Sequence, residues 1–254
     1  MWYNEDQTKT FSRRLKMTLA VFFDILFSVG FIRYALPNPA LWIVGALICS
    51  VIPYLLGSVN FAIIISGNQY NQDIRNYGSG NAGMTNMMRT YGKSAAALTL
   101  FGDAMKAVVA GFIGYAALGI FGAHMAGFFC VLGHTFPIFY KFKGGKGVVT
   151  AAASLLVCNP YVFVILLVIF VTIVSIWRYI SLASIMCVML YPVILNGMET
   201  VLNGFCSVYI IFPIMMAVLI VFKHKENIHR LLNKTESKFS FKKSVKKSDV
   251  DKED

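Results

Sequence analysis

Charge is scarce in this chain. Only 14% of its 254 residues are Asp, Glu, Lys or Arg, against about 25% in a typical soluble domain. Acids are the scarcest, 12 in all, while 57% of the residues are hydrophobic. That balance argues against a soluble enzyme, a disordered chain and a fibrous one. Paired cysteines are also missing. Cys49, Cys130, Cys158, Cys187 and Cys206 all fall in apolar runs, with no C-x-x-C and no Cys/His metal spacing. They read as small buried hydrophobes rather than a disulfide scaffold. There is no H-E-x-x-H and no G-x-S-x-G elbow. No Walker A loop exists either: Lys146 is followed by Gly147, and Met87 stands where Gly92-Lys93-Ser94 would need a glycine. The H-x-x-x-x-D of many acyl-CoA-dependent acyltransferases fails at His124, His134 and His224, which are followed at that spacing by Phe129, Phe139 and His229. No metal and no cofactor are expected.

What is present is a series of apolar runs, near 17–35, 41–66, 94–118, 119–133, 148–158, 161–177, 181–196 and 204–222. A spanning helix needs about 20 apolar residues, so the chain reads as an all-α polytopic membrane protein. The runs at 119–133 and 148–158 are short for a span. With the N-terminus inside, beside Lys9, Arg13, Arg14 and Lys16, alternation of all eight runs keeps nearly every cation on the cytoplasmic face. Arg75, Arg89, Lys93, Lys141, Lys143, Lys146 and Arg178 then lie inside, and the outside holds little more than Arg33 and Glu199. Dropping both short runs would strand Lys141, Lys143 and Lys146 outside. The run at 17–35 contains Asp24 and lacks a cleavage signal, and reads as an uncleaved extra helix. Residues 1–40 are taken as an extension, 41–232 as the membrane domain and 233–254 as a polar, disordered cytoplasmic tail. Between Lys223 and Lys247 nine Lys/Arg face two acids. Directly after an apolar helix, that surplus fits anionic lipid rather than nucleic acid.

Polar segments interrupt the apolar pattern, all on the predicted cytoplasmic side. Non-helical backbone at such depth is tolerated where it lines a cavity or is buried in protein. The first runs from Gly78 to Arg89, G-S-G-N-A-G-M-T-N-M-M-R. Gly78 and Gly80 allow close approach of a ligand; Ser79, Asn81, Thr85 and Asn86 offer hydroxyls and amides. Arg89 shares a helical face with Thr85 and suits bidentate phosphate binding. The second joins Gly133-His134-Thr135-Phe136-Pro137 to Lys143-Gly144-Gly145-Lys146-Gly147, two lysines among glycines that suit phosphate or carboxylate. In the third, Arg178, Ser181 and Ser184 would form one helical stripe. A fourth patch brings His224 and Asn227 to one face. Asp103 and Lys106, one turn apart in an apolar run, read as a structural ion pair supporting the first loop. A cavity rich in cations, hydroxyls and glycine but poor in acids suits phosphates, with catalysis by positioning and electrostatics.

In this order the segments resemble the bacterial acyl-phosphate-dependent glycerol-3-phosphate acyltransferases, the PlsY family, from about Leu41 to Glu236. The resemblance rests on Gly57-Ser58, then residues 78–89, 133–147, 178–184 and 224–232. It implies a compact bundle of about seven membrane helices, here with an extra N-terminal one, and motif loops facing the cytoplasm in the bacterial cell membrane. It implies transfer of a fatty acyl group from acyl phosphate to the 1-hydroxyl of sn-glycerol 3-phosphate, giving lysophosphatidate and phosphate. The implied partners are these two substrates and membrane lipid, with no obligate protein partner. By motif position, Ser79, Arg89, Lys146 and Ser184 match site residues, with His134 as loop-orienting group or base. Gly78, Gly80, Asn81, Thr85, Asn86, Lys143, Gly144, Gly145, Gly147, Ser181, His224 and Asn227 are the matching phosphate- or substrate-binding positions. The chain departs from the pattern at Asn60, Val149, Ala183 and Lys234, where proline, alanine, glycine and glycine are common, and the last departure leaves Glu236 unassigned. The alternative is a transporter of a phosphorylated solute, which would need a polar opening on both faces; the predicted outer face offers none. A scaffold protein would leave the ordered polar loops unexplained.

Overall fold

The computed structural model describes residues 39–204 and 207–239, all helix, turn and loop with no strand among them. The apolar run at 17–35, and Cys206, lie outside the described residues.

Helix α1 (Pro39–Ser58) carries Pro53 and leads into α2 (Phe61–Tyr70). Asn60 makes the junction: it is fully buried, and its Oδ1 accepts the Ile63 N–H at 3.1 Å as an N-cap. Two short elements follow, a 3-10 turn at Ile74–Asn76 and helix α3 (Met84–Tyr91). The 43-residue α4 (Lys93–Thr135) is continuous only in hydrogen bonding. It breaks at Leu118 and Gly119, the latter at φ 62°, ψ −148°, a backbone state that glycine reaches without penalty. Its two legs run antiparallel, because Lys106 reaches His134 and Gly114 lies against Gly122. A Cβ added to Gly114 or Gly122 would fall 2.2 or 2.1 Å from the other's carbonyl oxygen. The backbones therefore touch, the close approach that small residues permit between membrane helices. The break falls where the expected runs 94–118 and 119–133 divide.

Helix α5 (Val148–Cys158) has 11 residues, about 17 Å at 1.5 Å per residue, short of a roughly 30 Å hydrocarbon core. It sits inside the bundle, with Ala153 in a cluster with Ala107, Ala110 and Cys130. Asn159 ends α5 and caps α6 (Pro160–Trp177). Helix α7 (Ile180–Asn203), with Pro192 inside, α8 (Ile211–Lys223) and α9 (Lys225–Leu232) complete the chain. The main core draws Val131, Leu155, Leu166, Tyr191, Leu195 and Met216 from five helical segments. Helix α6 buries only Val162 and Leu166 and exposes Val164, Val168, Val171 and Ile176. A helix apolar all round, with most of its surface outward, belongs in a bilayer.

Four described segments are long and apolar enough to cross a membrane: Leu41–Tyr70, Lys93–Tyr140, Pro160–Trp177 and Ile180–Leu202. Val208–Lys223 with Lys225–Leu232, bent by 59°, makes a fifth if the pair is one span. The protein is an all-α integral membrane protein. Two expectations need correction. Cys158 and Cys187 are only half-buried, unlike Cys49 and Cys130. Arg178 is not on a stripe with Ser181 and Ser184: it caps α6 in the left-handed conformation, at φ 61°, and its side chain is exposed. Within the stretch taken as tail, residues 233–239 are among the described residues, and Glu236 is buried.

Candidate active site

The first polar loop is built around Asn86. Its Oδ1 accepts the Ser79 N–H at 2.9 Å, and its Nδ2 donates to the Tyr77 and Ile74 carbonyls at 2.9 and 3.2 Å. Gly78, at φ 59°, passes so close that a Cβ would meet Asn86 Oδ1 at 2.2 Å. Asn86 is fully buried, its amide spent on the loop. It shapes the loop instead of offering a free donor. The Ser79 side chain is left exposed, as is Arg89 on α3, one turn beyond Thr85. Neither the Ser79 hydroxyl nor the Arg89 guanidinium meets a hydrogen-bond or ion-pair partner among the described residues.

The second loop is locked to the first. Arg75 pairs with Asp73 at 2.6 Å and sends Nη1 to the Tyr140 and Lys143 carbonyls at 3.0 and 3.1 Å. The Arg75 guanidinium bonded to Asp73 holds that carboxyl below its usual range, against a smaller opposing effect of burial. Asn60 Nδ2 donates to the Ala82 carbonyl at 3.2 Å. That carbonyl oxygen and His134 Nε2 both crowd Gly145, where a Cβ would meet them at 2.7 and 2.1 Å. Gly145 N–H in turn donates to the His134 carbonyl at 3.0 Å. Gly144 is as tight, a Cβ there falling 2.0 Å from His134 O. Gly144 and Gly145 are thus required by the loop's flat contact with His134.

Beneath the loop, Lys106 Nζ lies 2.8 Å from Asp103 Oδ1, 3.0 Å from His134 Nδ1, and 3.0 and 2.6 Å from the Gly57 and Val59 carbonyls. His134 Nδ1 also lies 3.5 Å from Asp103 Oδ1, so this nitrogen is engaged by the ion pair in either tautomer, while Nε2 packs toward Gly145. A general base needs a nitrogen within reach of the substrate; Nδ1 is held beneath the loop by Lys106 and Asp103, and Nε2 is packed against Gly145. Of the two roles considered for His134, the geometry fits orienting the loop.

Lys146 reaches the opposite wall. Its Nζ donates to Asn227 Oδ1. Asn227 Nδ2 donates to Glu236 Oε1 at 2.7 Å, as does Ser181 Oγ at 2.7 Å, and Arg230 Nε meets Oε2 at 2.7 Å. The Phe239 N–H closes the turn on the Arg178 carbonyl at 2.6 Å. All four polar segments are clasped into one assembly. Burial pushes the Lys146 amine down to about 8; the Arg230 guanidinium adds to the fall, Glu236 and Glu226 oppose it, and Arg89 contributes least. Burial alone would raise the Glu236 carboxyl, but hydrogen bonds from Arg230, Ser181 and Asn227 outweigh it and leave it below its usual value.

Not every expected residue joins this network. Ser184 is buried and its Oγ bonds its own helix, at Ile180 O, 2.8 Å away. His224 is buried at the α8–α9 bend, its Nδ1–H on Ile220 O at 2.7 Å. Lys143 is exposed, Gly80 turns the first loop at φ 70°, Gly147 starts α5 at φ 82°, and Asn81 is half-buried. Residues that sequence reasoning missed include Glu236, Arg230, the Asp73–Arg75 pair and Asn60. The signal for Glu236 was the Thr235-Glu236 pair itself. Lys234 stands at φ 56°, the left-handed state that explains why glycine is common there, and it keeps the same turn. The resulting site presents Arg89, Lys146 and Arg230 against few acids, with Ser79 open, an arrangement suited to phosphate.

Residues 47–234 match the family model described as glycerol-3-phosphate acyltransferase. The chain belongs to the glycerol-3-phosphate acyltransferase family. It is similar to glycerol-3-phosphate acyltransferases of Thermoanaerobacter sp. (strain X514), 40% identical over 79% of this chain and 99% of that protein, and of Syntrophomonas wolfei, 41% over 76% and 96%. Crystal structures of PlsY (YgiH), an integral membrane glycerol 3-phosphate acyltransferase, also match. The glycerol 3-phosphate form superposes with a TM-score of 0.70 at 34% identity, and the lysophosphatidic acid form with 0.68 at 33%. Each covers 77% of this chain and 96% of the matched one. A family of acyltransferases displaces the transporter alternative.

Proposed function

We propose that the protein transfers a fatty acyl group from acyl phosphate to the 1-hydroxyl of sn-glycerol 3-phosphate, releasing 1-acylglycerol 3-phosphate and inorganic phosphate. The observation that carries this reading is the clasp of Lys146 on Asn227 with the charges of Arg89 and Arg230 bearing on it. Both substrates bring phosphate, and both need cations at one place. In this reading Arg89 and Lys146 bind phosphate charge. Ser79 donates to phosphate from the loop that Gly78, Gly80 and Asn86 shape, with Asn81 and Thr85 beside it. The Lys143–Gly147 loop, Ser181, Asn227 and His224 complete the substrate walls. Ser184 supports the start of α7.

The acceptor hydroxyl oxygen attacks the acyl carbonyl carbon, and the carbonyl–phosphate C–O bond breaks. The hydroxyl proton passes to an oxygen of the departing phosphate. A mixed anhydride is already a strong electrophile, so no protein base is needed. Residues 41–232 form the catalytic membrane domain of a bacterial cell-membrane protein with its loops on the cytoplasmic face, a placement supported by the cation distribution. The test is acylation of labelled glycerol 3-phosphate by acyl phosphate. Ser79→Ala, Arg89→Ala and Lys146→Ala should each lower turnover by about a hundredfold or more, the scale of a lost transition-state contact. Near wild-type turnover in all three folded variants would overturn the assignment.

A further inference from the structure

Three buried side chains under the site take no part in the transfer as proposed. Asp103, Lys106 and His134 are 2%, 6% and 4% exposed. Burying an ion pair costs heavily in desolvation, and a pair that serves only itself can be replaced by apolar residues with little loss. This pair does more: the same ammonium takes two carbonyls at the end of α1 and the ring of His134.

We propose that Lys106, held by Asp103, is a positioning residue that ties the end of α1 to His134 and through His134 sets the Lys143–Gly147 loop, and so Lys146, against Asn227. The contacts form an unbroken path. The Gly57 and Val59 carbonyls fix the ammonium to the α1–α2 junction. The ammonium fixes the His134 ring, whose Nε2 side lies on Gly145. The His134 carbonyl holds the Gly145 N–H, and Lys146 is the next residue. Gly144 and Gly145 leave no space between loop and histidine, so a shift of the ring moves the loop directly. Asn60, at the same junction, holds Ala82 of the first loop, which brings both loops under one anchor. The effect on turnover rests on the acyl-transfer reading; the effect on Lys146 does not.

The test uses the double variant Asp103→Asn/Lys106→Met, which removes both charges and leaves neither unpaired. Full-length protein in detergent is treated with acetic anhydride across a pH series, and acetylation of Lys146 is followed by peptide mass spectrometry with Lys143 as reference. The charged groups bearing on Lys146 (Arg230, Glu236, Glu226 and Arg89) are unchanged in this variant. Wild-type Lys146 should titrate near 8. The double variant should move that titration upward, toward the roughly 10.4 of an ordinary lysine, and lower kcat/KM about a hundredfold, the scale of a 1 Å misplacement. Gly145→Ala disturbs the same joint from the loop side and carries the test if the double variant does not fold; it should give the same upward shift. An unmoved Lys146 titration in the folded variant overturns the proposal even if turnover falls. A moved titration in a protein inactive with every donor upholds the positioning and overturns the reaction reading.

Discussion

Lys146 and Asn227, 81 residues apart, meet through a hydrogen bond from the ammonium to the side-chain carbonyl. The other end of that amide donates to Glu236. An amide thus stands between cation and carboxylate. Lys146 is oriented without being neutralised by direct pairing, and it keeps charge and further N–H groups for a phosphate.

Glu236 is the acceptor for three donors, so its loss should be felt beyond its own contacts. Glu236→Ala leaves Asn227, Ser181 and Arg230 short of a partner, at about 1–3 kcal/mol for a buried group left unsatisfied. Turnover should fall by about tenfold to a hundredfold, at roughly 1.4 kcal/mol per decade, and the melting temperature in detergent should drop. Glu236→Gln, which keeps an acceptor but not the charge, should lose less. Steady-state kinetics with thermal melting of both variants checks this.

The depressed Lys146 amine sets a pH dependence. The ammonium is the form that attracts phosphate, and in the free enzyme it is lost as pH rises through about 8. Because kcat/KM reports the free enzyme, it should decline on the alkaline side from that point. Lys146→Arg, charged throughout the accessible range, should abolish the alkaline decline even where overall activity is lower. A profile of kcat/KM from neutral pH to about 10 measures it.

Much of this was legible before the structure. Among the described residues the apolar runs mark the helices, and the division between the runs at 118/119 coincides with the break at Leu118 and Gly119. The polar segments gave the loops. What could not be read was which side chains spend their groups on the protein itself. Asn86 and Ser79 look alike as donors in sequence, yet Asn86 is consumed by the loop backbone and Ser79 is exposed. Arg178 looked helical because its neighbours are, but it caps one helix instead of starting the next. Glu236 was passed over because Lys234 replaces a common glycine. The left-handed turn forms nonetheless, since Thr235 and Glu236 N–H groups still reach the Arg230 carbonyl at 2.8 and 3.2 Å.

That turn carries a strain that can be relieved. An L-residue in the left-handed region costs about 1–2 kcal/mol, part of which glycine returns as extra chain entropy when unfolded. Lys234→Gly should therefore stabilise the protein by about 0.5–1 kcal/mol, visible as a small rise in melting temperature with turnover unchanged.

The α4 hairpin should tolerate no side chain at its contact. Gly114→Ala and Gly122→Ala each place a Cβ 2.2 or 2.1 Å from a backbone oxygen of the other leg. Overpacking of this kind costs about 1–3 kcal/mol or more. Both variants should melt lower in detergent, whereas Gly67→Ala, where a Cβ meets nothing within 4 Å, should not.

The most direct measurement supplies the purified protein with labelled glycerol 3-phosphate and either acyl phosphate or acyl-CoA, and quantifies lysophosphatidate in each arm. Product with acyl phosphate alone is expected, and would establish donor and acceptor together. Product with acyl-CoA alone would contradict the assigned donor, and no product in either arm from a monodisperse protein that binds glycerol 3-phosphate would contradict acyl transfer itself.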